Sequence, residues 1–133
     1  MEASESEQRV RPATNWRQIF LDSISGKVAP IVGLQLPWEK SKGKVNFEPG
    51  CVSLWLGING HGKSLMLGQC CLSFCAQGAK VCIASMEMKP HKTLKRLGAQ
   101  FLDSRHPTVR EGERFMDWTD GKLWLYDQAG NIN

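Results

Sequence analysis

The stretch Gly57-Ile58-Asn59-Gly60-His61-Gly62-Lys63-Ser64 decides the fold of this 133-residue chain. It matches the pattern G-x-x-x-x-G-K-[ST], whose glycines let a tight loop bring backbone N–H groups close to an anion. An apolar run at 51–56 precedes the loop, and a helical pattern follows it. This order of strand, glycine-rich loop and helix predicts a nucleotide-phosphate site, because the loop amides and the positive end of the helix dipole both face the anion.

All eight residues of the loop, 57–64, are therefore predicted to bind the nucleotide. Lys63 is expected to reach the β- and γ-phosphate oxygens, and the hydroxyl of Ser64 is expected to ligate Mg²⁺. The predicted cofactors are thus ATP and Mg²⁺. The alternative is a glycine-rich turn between a strand and a helix that carries a surface lysine.

Alternating apolar and helical patterns predict an α/β domain over residues 49–133. Strands that alternate with helices favour a parallel sheet with right-handed crossovers. Leu94, Leu97 and Phe101 share one face of a basic helix that begins after Pro90. The other predicted elements are strands at 51–56, 80–86 and 123–126 and helices at 63–77 and 108–118.

The chain before this domain divides into a leader and a connector. Residues 1–13 are polar and predict a flexible leader. Residues 14–48 predict a linker helix, with Asn15 as N-cap and Gly26 as terminator, followed by an extended connector. The connector is expected to end in a turn at 48–50.

The composition predicts a soluble globular protein, with 41% apolar and 23% charged residues. No stretch approaches the roughly 20 apolar residues of a membrane span. The net charge of +4 permits a nucleic-acid partner without demonstrating one. Five cysteines without a CxxC pair predict buried free thiols and a reducing cytoplasm.

Two stretches carry a resemblance to a known family. Residues 49–70, PGCVSLWLGINGHGKSLMLGQC, and 80–88, KVCIASMEM, resemble the RecA-like motor domain of DnaB-type replicative helicases and of phage or mitochondrial primase-helicases. In that family the second strand ends in Ser-x-Glu-Met, which Ser85-Met86-Glu87-Met88 matches. The resemblance implies that Glu87 is the catalytic base and acts beside Lys63. A carboxylate at the end of a strand beside the loop is also placed to polarise water, although such residues are otherwise commonly solvated.

The resemblance implies a P-loop NTPase with a RecA-like parallel sheet and flanking helices. It further implies the N-terminal portion of a motor whose intact form is a hexameric, ring-forming 5′-to-3′ helicase that couples ATP hydrolysis to translocation on single-stranded DNA. A bacterial or phage-infected cytoplasm is the expected compartment, and the mitochondrial matrix is the alternative.

The expected motor is incomplete at its C-terminal side. The family's Asp strand, its arginine finger and its DNA-binding loops have no match here. Because that Asp strand lies between the strands at 51–56 and 80–86 in the family, both are expected to have an unpaired edge. Whether the 133 residues alone hydrolyse ATP stays open.

Two other functions remain. One is a RecA-like recombination or repair ATPase, and the other is a catalytically inactive nucleotide-binding or regulatory fragment. The basic stretch at 91–96 is either a solvated helix face or a contact to DNA phosphates.

Overall fold

The computed structural model describes residues 10–27 and 33–127. They belong to two compact units, Met1–Ile31 and Val32–Asn133. Most of the predicted leader, residues 1–9, lies outside the described residues. In the part of the chain that is described, no helix has the length and apolar character needed to cross a membrane.

The first unit contains the predicted helix. A 3-10 turn at Ala13–Trp16 leads into helix α1, Arg17–Ile24. The predicted N-cap is wrong, because Asn15 lies inside the 3-10 turn and its N–H bonds to the carbonyl of Pro12 at 3.0 Å. The helix ends as predicted, with Gly26 at φ +72°. Its apolar stripe is exposed within this unit: Trp16, Ile19, Phe20 and Ile24.

The second unit is a mixed α/β structure with two small sheets. Strands β1 (Leu34–Gln35) and β2 (Asn46–Phe47) pair antiparallel, and β3 (Val81–Ala84) and β4 (Leu123–Tyr126) pair parallel with Val81 opposite Leu123. The predicted helices and the two later strands are confirmed. The elements are β1 Leu34–Gln35, β2 Asn46–Phe47, α2 Lys63–Ala76, β3 Val81–Ala84, α3 Pro90–Phe101, α4 Val109–Thr119 and β4 Leu123–Tyr126.

The connector is less extended than predicted. It contains β1, β2 and a 3-10 turn at Glu39–Ser41, and it closes at the predicted turn, where the N–H of Cys51 bonds to the carbonyl of Glu48 at 3.3 Å. The side-chain amide of Gln77, after α2, accepts from the N–H of Gln35 and donates to its carbonyl, both at 2.8 Å. This contact across 42 residues ties β1 to the helix.

The predicted strand at 51–56 is wrong. These residues form no strand, and the side chains of Val52, Leu54 and Leu56 are 97%, 82% and 84% exposed. An isolated strand leaves its backbone groups unpaired, and none of the four described strands pairs with this run. The expectation of an unpaired strand edge therefore does not apply to this segment, because its residues do not form a strand.

The core lies between three helices and the parallel pair. Leu72 of α2, Leu97 of α3 and Phe115 of α4 are buried together, and Ile83 of β3 and Leu123 of β4 pack against them. The predicted apolar face of α3 is largely confirmed. Helix α2 buries Gly68, Cys70, Leu72 and Cys75, whereas Leu65 and Leu67 are exposed.

The cysteines are free thiols, as predicted, but only some are buried. Cys70 and Cys75 are buried, whereas Cys51 and Cys82 are exposed, so the prediction of five buried thiols is wrong for these two. They belong to the unpaired run and to an exposed position of β3. Burial, reinforced by the neighbouring thiols, raises the pKa of Cys71 to about 11. This thiol therefore stays protonated at neutral pH.

Helix α4 begins with a capping box. The hydroxyl of Thr108 accepts from the N–H of Glu111 at 3.3 Å, and the Glu111 carboxylate accepts from the N–H of Thr108 at 2.8 Å. The backbone N–H and then the hydroxyl of Thr108 hold the pKa of Glu111 below its usual value of 4.5. The hydrogen bonds of the ionised Glu111 carboxylate therefore stabilise the folded protein. This stabilisation is fully present above the pKa of Glu111 in the unfolded chain, and it is lost as the pH falls through the lower pKa of the folded protein.

We expect Thr108→Ala to lower the free energy of unfolding by about 1 kcal/mol at neutral pH, because the helix loses its cap. The loss should shrink in acid, where Glu111 is protonated in both proteins. Urea unfolding of both proteins at neutral pH and well below pH 4.5 measures it. A loss that is larger in acid than at neutral pH would contradict the bond between the Thr108 hydroxyl and the Glu111 carboxylate.

Candidate phosphate-binding site

The glycine-rich loop leads directly into α2, as predicted. Gly60 and Gly62 have φ values of +81° and +84°, in the left-handed region that favours glycine. The carbonyl of Gly62 accepts the N–H of Met66 at 2.9 Å and so begins the helical hydrogen bonding. The free N–H groups of the first helical turn therefore face the loop side, where an anion is stabilised.

The side chain of Lys63 folds back into the loop. Its ammonium donates to the carbonyl oxygen of Gly57 and, at 3.4 Å, to the side-chain oxygen of Asn59. A Cβ at position 57 would lie 3.1 Å from both Cγ and Cδ of Lys63, so only glycine leaves this side chain in place without a shift. The first glycine of the motif thus makes room for the lysine.

Glu87 follows the carboxyl end of β3. Strand β3 ends at Ala84, and the hydroxyl of Ser85 accepts the N–H of Met88 at 3.1 Å, which closes a short turn around Met86 and Glu87. This turn fixes the backbone of the predicted base. The carboxylate of Glu87 is exposed rather than buried among apolar groups.

One open cavity of about 600 Å³ brings the predicted site residues together. It joins the loop and the first turn of α2 to Glu87, which is 24 residues beyond Lys63 in the chain. Three loop residues do not line it: Gly57, Ile58 and His61. The lining residues are Asn59, Gly60, Gly62, Lys63, Ser64, Leu65, Glu87 and Arg96.

Arg96 of α3 also lines this cavity, although the sequence did not predict it as a site residue. It belongs to the basic stretch that was predicted to face solvent or DNA. The sequence does not show which of the basic residues of α3 faces the loop, because this depends on how α3 packs against α2. The next residue, Leu97, lies in the core, but this position alone does not show where the side chain of Arg96 lies.

The charges on the cavity wall suit a phosphate chain. Lys63 and Arg96 are positive and Glu87 is negative, so the wall has a net positive charge beside the N-terminus of α2. The Ser64 hydroxyl and the Glu87 carboxylate are hard oxygen groups of the kind that accompany Mg²⁺ bound through phosphates. No group of three or more His, Cys, Asp or Glu side chains able to hold a metal by themselves occurs within 10–27 and 33–127.

The arrangement thus offers loop amides and a lysine for phosphate oxygens, a hydroxyl for a phosphate-bound cation, and a carboxylate for a water molecule. No protein-family model, curated protein or solved structure matches this chain, so these groups and their placement are what support a function.

Proposed function

We propose that residues 57–64 bind the phosphates of ATP together with Mg²⁺, in a RecA-like ATPase domain of the replicative helicase type. The observation that supports this most is the shared cavity of Lys63, Ser64 and Glu87. The motif alone predicts phosphate binding. The carboxylate on the same cavity adds the group that hydrolysis requires.

The loop and helix α2 supply the binding. Backbone N–H groups at 60–64 donate to phosphate oxygens, and the ammonium of Lys63 exchanges its contacts with Gly57 and Asn59 for charged oxygens. Ser64 would hold Mg²⁺ jointly with the phosphates, and the ion would offset charge on the bridging oxygens.

Glu87 supplies the reactive step. Its carboxylate accepts a proton from water as the water oxygen bonds to the γ-phosphorus and the bond to the bridging oxygen of ADP breaks. The turn closed by Ser85 positions this carboxylate beside the cavity. Lys63 stays on the phosphate oxygens and stabilises the charge that develops on them.

The larger function rests on the resemblance at 49–70 and 80–88. In the intact motor, six copies would form a ring, and hydrolysis at their interfaces would drive 5′-to-3′ movement along single-stranded DNA. The cytoplasm of a bacterium or of a phage-infected cell fits this activity. The parallel pairing of β3 and β4 is compatible with such a sheet and supports the proposal.

Lys63→Ala tests phosphate binding. We expect the affinity for Mg²⁺–ATP to fall about 10- to 100-fold, because the variant loses charge-assisted hydrogen bonds to the phosphates. Isothermal titration of the chain and the variant gives the two dissociation constants.

Lys80→Ala is the matched control, because Lys80 is exposed and does not line the cavity. It should bind as the unsubstituted chain does. Equal affinity of the Lys63 and Lys80 variants would overturn the proposed site, and so would the absence of binding by the unsubstituted chain.

The exposed run at 51–56 favours a second function, a nucleotide-binding regulatory fragment without turnover. In such a fragment the loop binds ATP, while the missing neighbour of this run leaves the hydrolytic site unfinished. Binding that depends on Lys63, with no release of phosphate, would support it.

A further inference from the structure

We propose that Arg96 is a further phosphate-contacting residue of this site and binds the end of the phosphate chain that lies nearest Glu87. The inference rests on the proposed function, because it concerns the same cavity. It adds a group from helix α3, outside the motif, to the groups of the loop and α2.

Arg96 meets the chemical requirements of such a contact. Its side chain lines the cavity with Lys63 and Glu87. Its guanidinium forms no hydrogen bond or ion pair with any residue of the described ranges, although the Glu87 carboxylate lines the same cavity. A guanidinium presents a planar pair of donors that matches two oxygens of one phosphate, so its donors suit a ligand of this kind.

The packing of α3 holds Arg96 beside the loop. One turn further along the same face, the side-chain amide of Gln100 donates to the carbonyl of Leu65 in the first turn of α2, at 2.7 Å. The helices also approach closely at Gly68, where a Cβ would lie 2.5 Å from Gln100 Oε1 and 3.1 Å from Leu97 Cδ2. The backbone at position 96 is therefore fixed relative to Lys63.

The charge of Glu87 makes a second cation useful. A carboxylate that faces a triphosphate repels it, and without Arg96 the charge of Lys63 would only offset that of Glu87. With Arg96 the three charged side chains of the wall sum to one positive charge. The arginine thus allows a catalytic base and an anionic substrate to share one cavity.

The test compares Arg96→Ala and Arg96→Gln with Lys95→Ala by titration with Mg²⁺–ATP and with AMP. Lys95 is the adjacent exposed lysine of α3 and does not line the cavity. We expect both Arg96 variants to weaken ATP binding about 10-fold, as for lost hydrogen bonds to a charged group, and to leave AMP binding nearly unchanged. Lys95→Ala should change neither.

A general disturbance of the fold would weaken the binding of ATP and of AMP alike. The ratio of the two affinities therefore distinguishes the loss of a phosphate contact from a change in packing. An unchanged ratio in both Arg96 variants would overturn this inference, and if Lys63→Ala still lost ATP binding, the proposed function would stand. Failure of the unsubstituted chain to bind ATP would overturn the proposed function and this inference with it.

Discussion

Glu87→Gln is expected to lower the rate of ATP hydrolysis by about 10²- to 10⁴-fold, while the affinity for Mg²⁺–ATP stays the same or rises. Glutamine keeps the shape of the side chain but does not accept the proton of the attacking water. It also removes a negative charge from the wall shared with Lys63 and Arg96, so the phosphates are repelled less. Phosphate release at saturating ATP, with titration of the same samples, measures both quantities.

The matched control is Glu113→Gln, an exposed carboxylate of α4 that does not line the cavity. Its turnover should equal that of the unsubstituted chain. Measurable and equal turnover of the Glu87 variant and this control would contradict the role of Glu87 as base. Binding without turnover in all three proteins would instead favour the regulatory fragment.

Phe115→Ala is expected to lower the free energy of unfolding by about 3–5 kcal/mol. The ring is only 3% exposed and stands at the junction of α3 and α4. It lies 5.2 Å from the ring of Phe101, and a Cβ at Gly98 would come within 3.2 Å of it. Its removal leaves a cavity that the neighbouring helices fill only in part, because Gly98 has no side chain to move into it.

Urea unfolding followed by tryptophan fluorescence measures this loss, since the ring of Trp118 lies 6.4 Å from that of Phe115. Met116→Ala is the control, because this neighbour on α4 is 48% exposed and its removal leaves no closed cavity. A loss in the Phe115 variant no greater than in the Met116 variant would show that the described core contributes little to folding.

The sequence predicted best what local chemistry determines. Gly60 and Gly62 have the backbone conformations that the motif requires, and α2 begins at its lysine. The helix predicted after Pro90 begins at that proline, and the helix predicted at 108–118 begins at Val109.

The errors come from contacts between distant residues. The run at 51–56 has the composition of a buried strand, but a strand also requires a neighbour, which composition does not reveal. The amide contact between Gln35 and Gln77 could not be predicted from either glutamine alone. Arg96 was missed for the same reason, since its direction depends on how α3 crosses α2.

The uncharged segment at 51–56 has a consequence for how the protein behaves at high concentration. Its alternate aliphatic side chains are exposed, and no lysine or proline within it discourages pairing with another molecule. Extended, uncharged and apolar segments are those from which amyloid-like stacks begin. We therefore expect this chain to aggregate at high concentration and during long storage. A charged residue in place of Leu54 is the simplest way to improve its solubility.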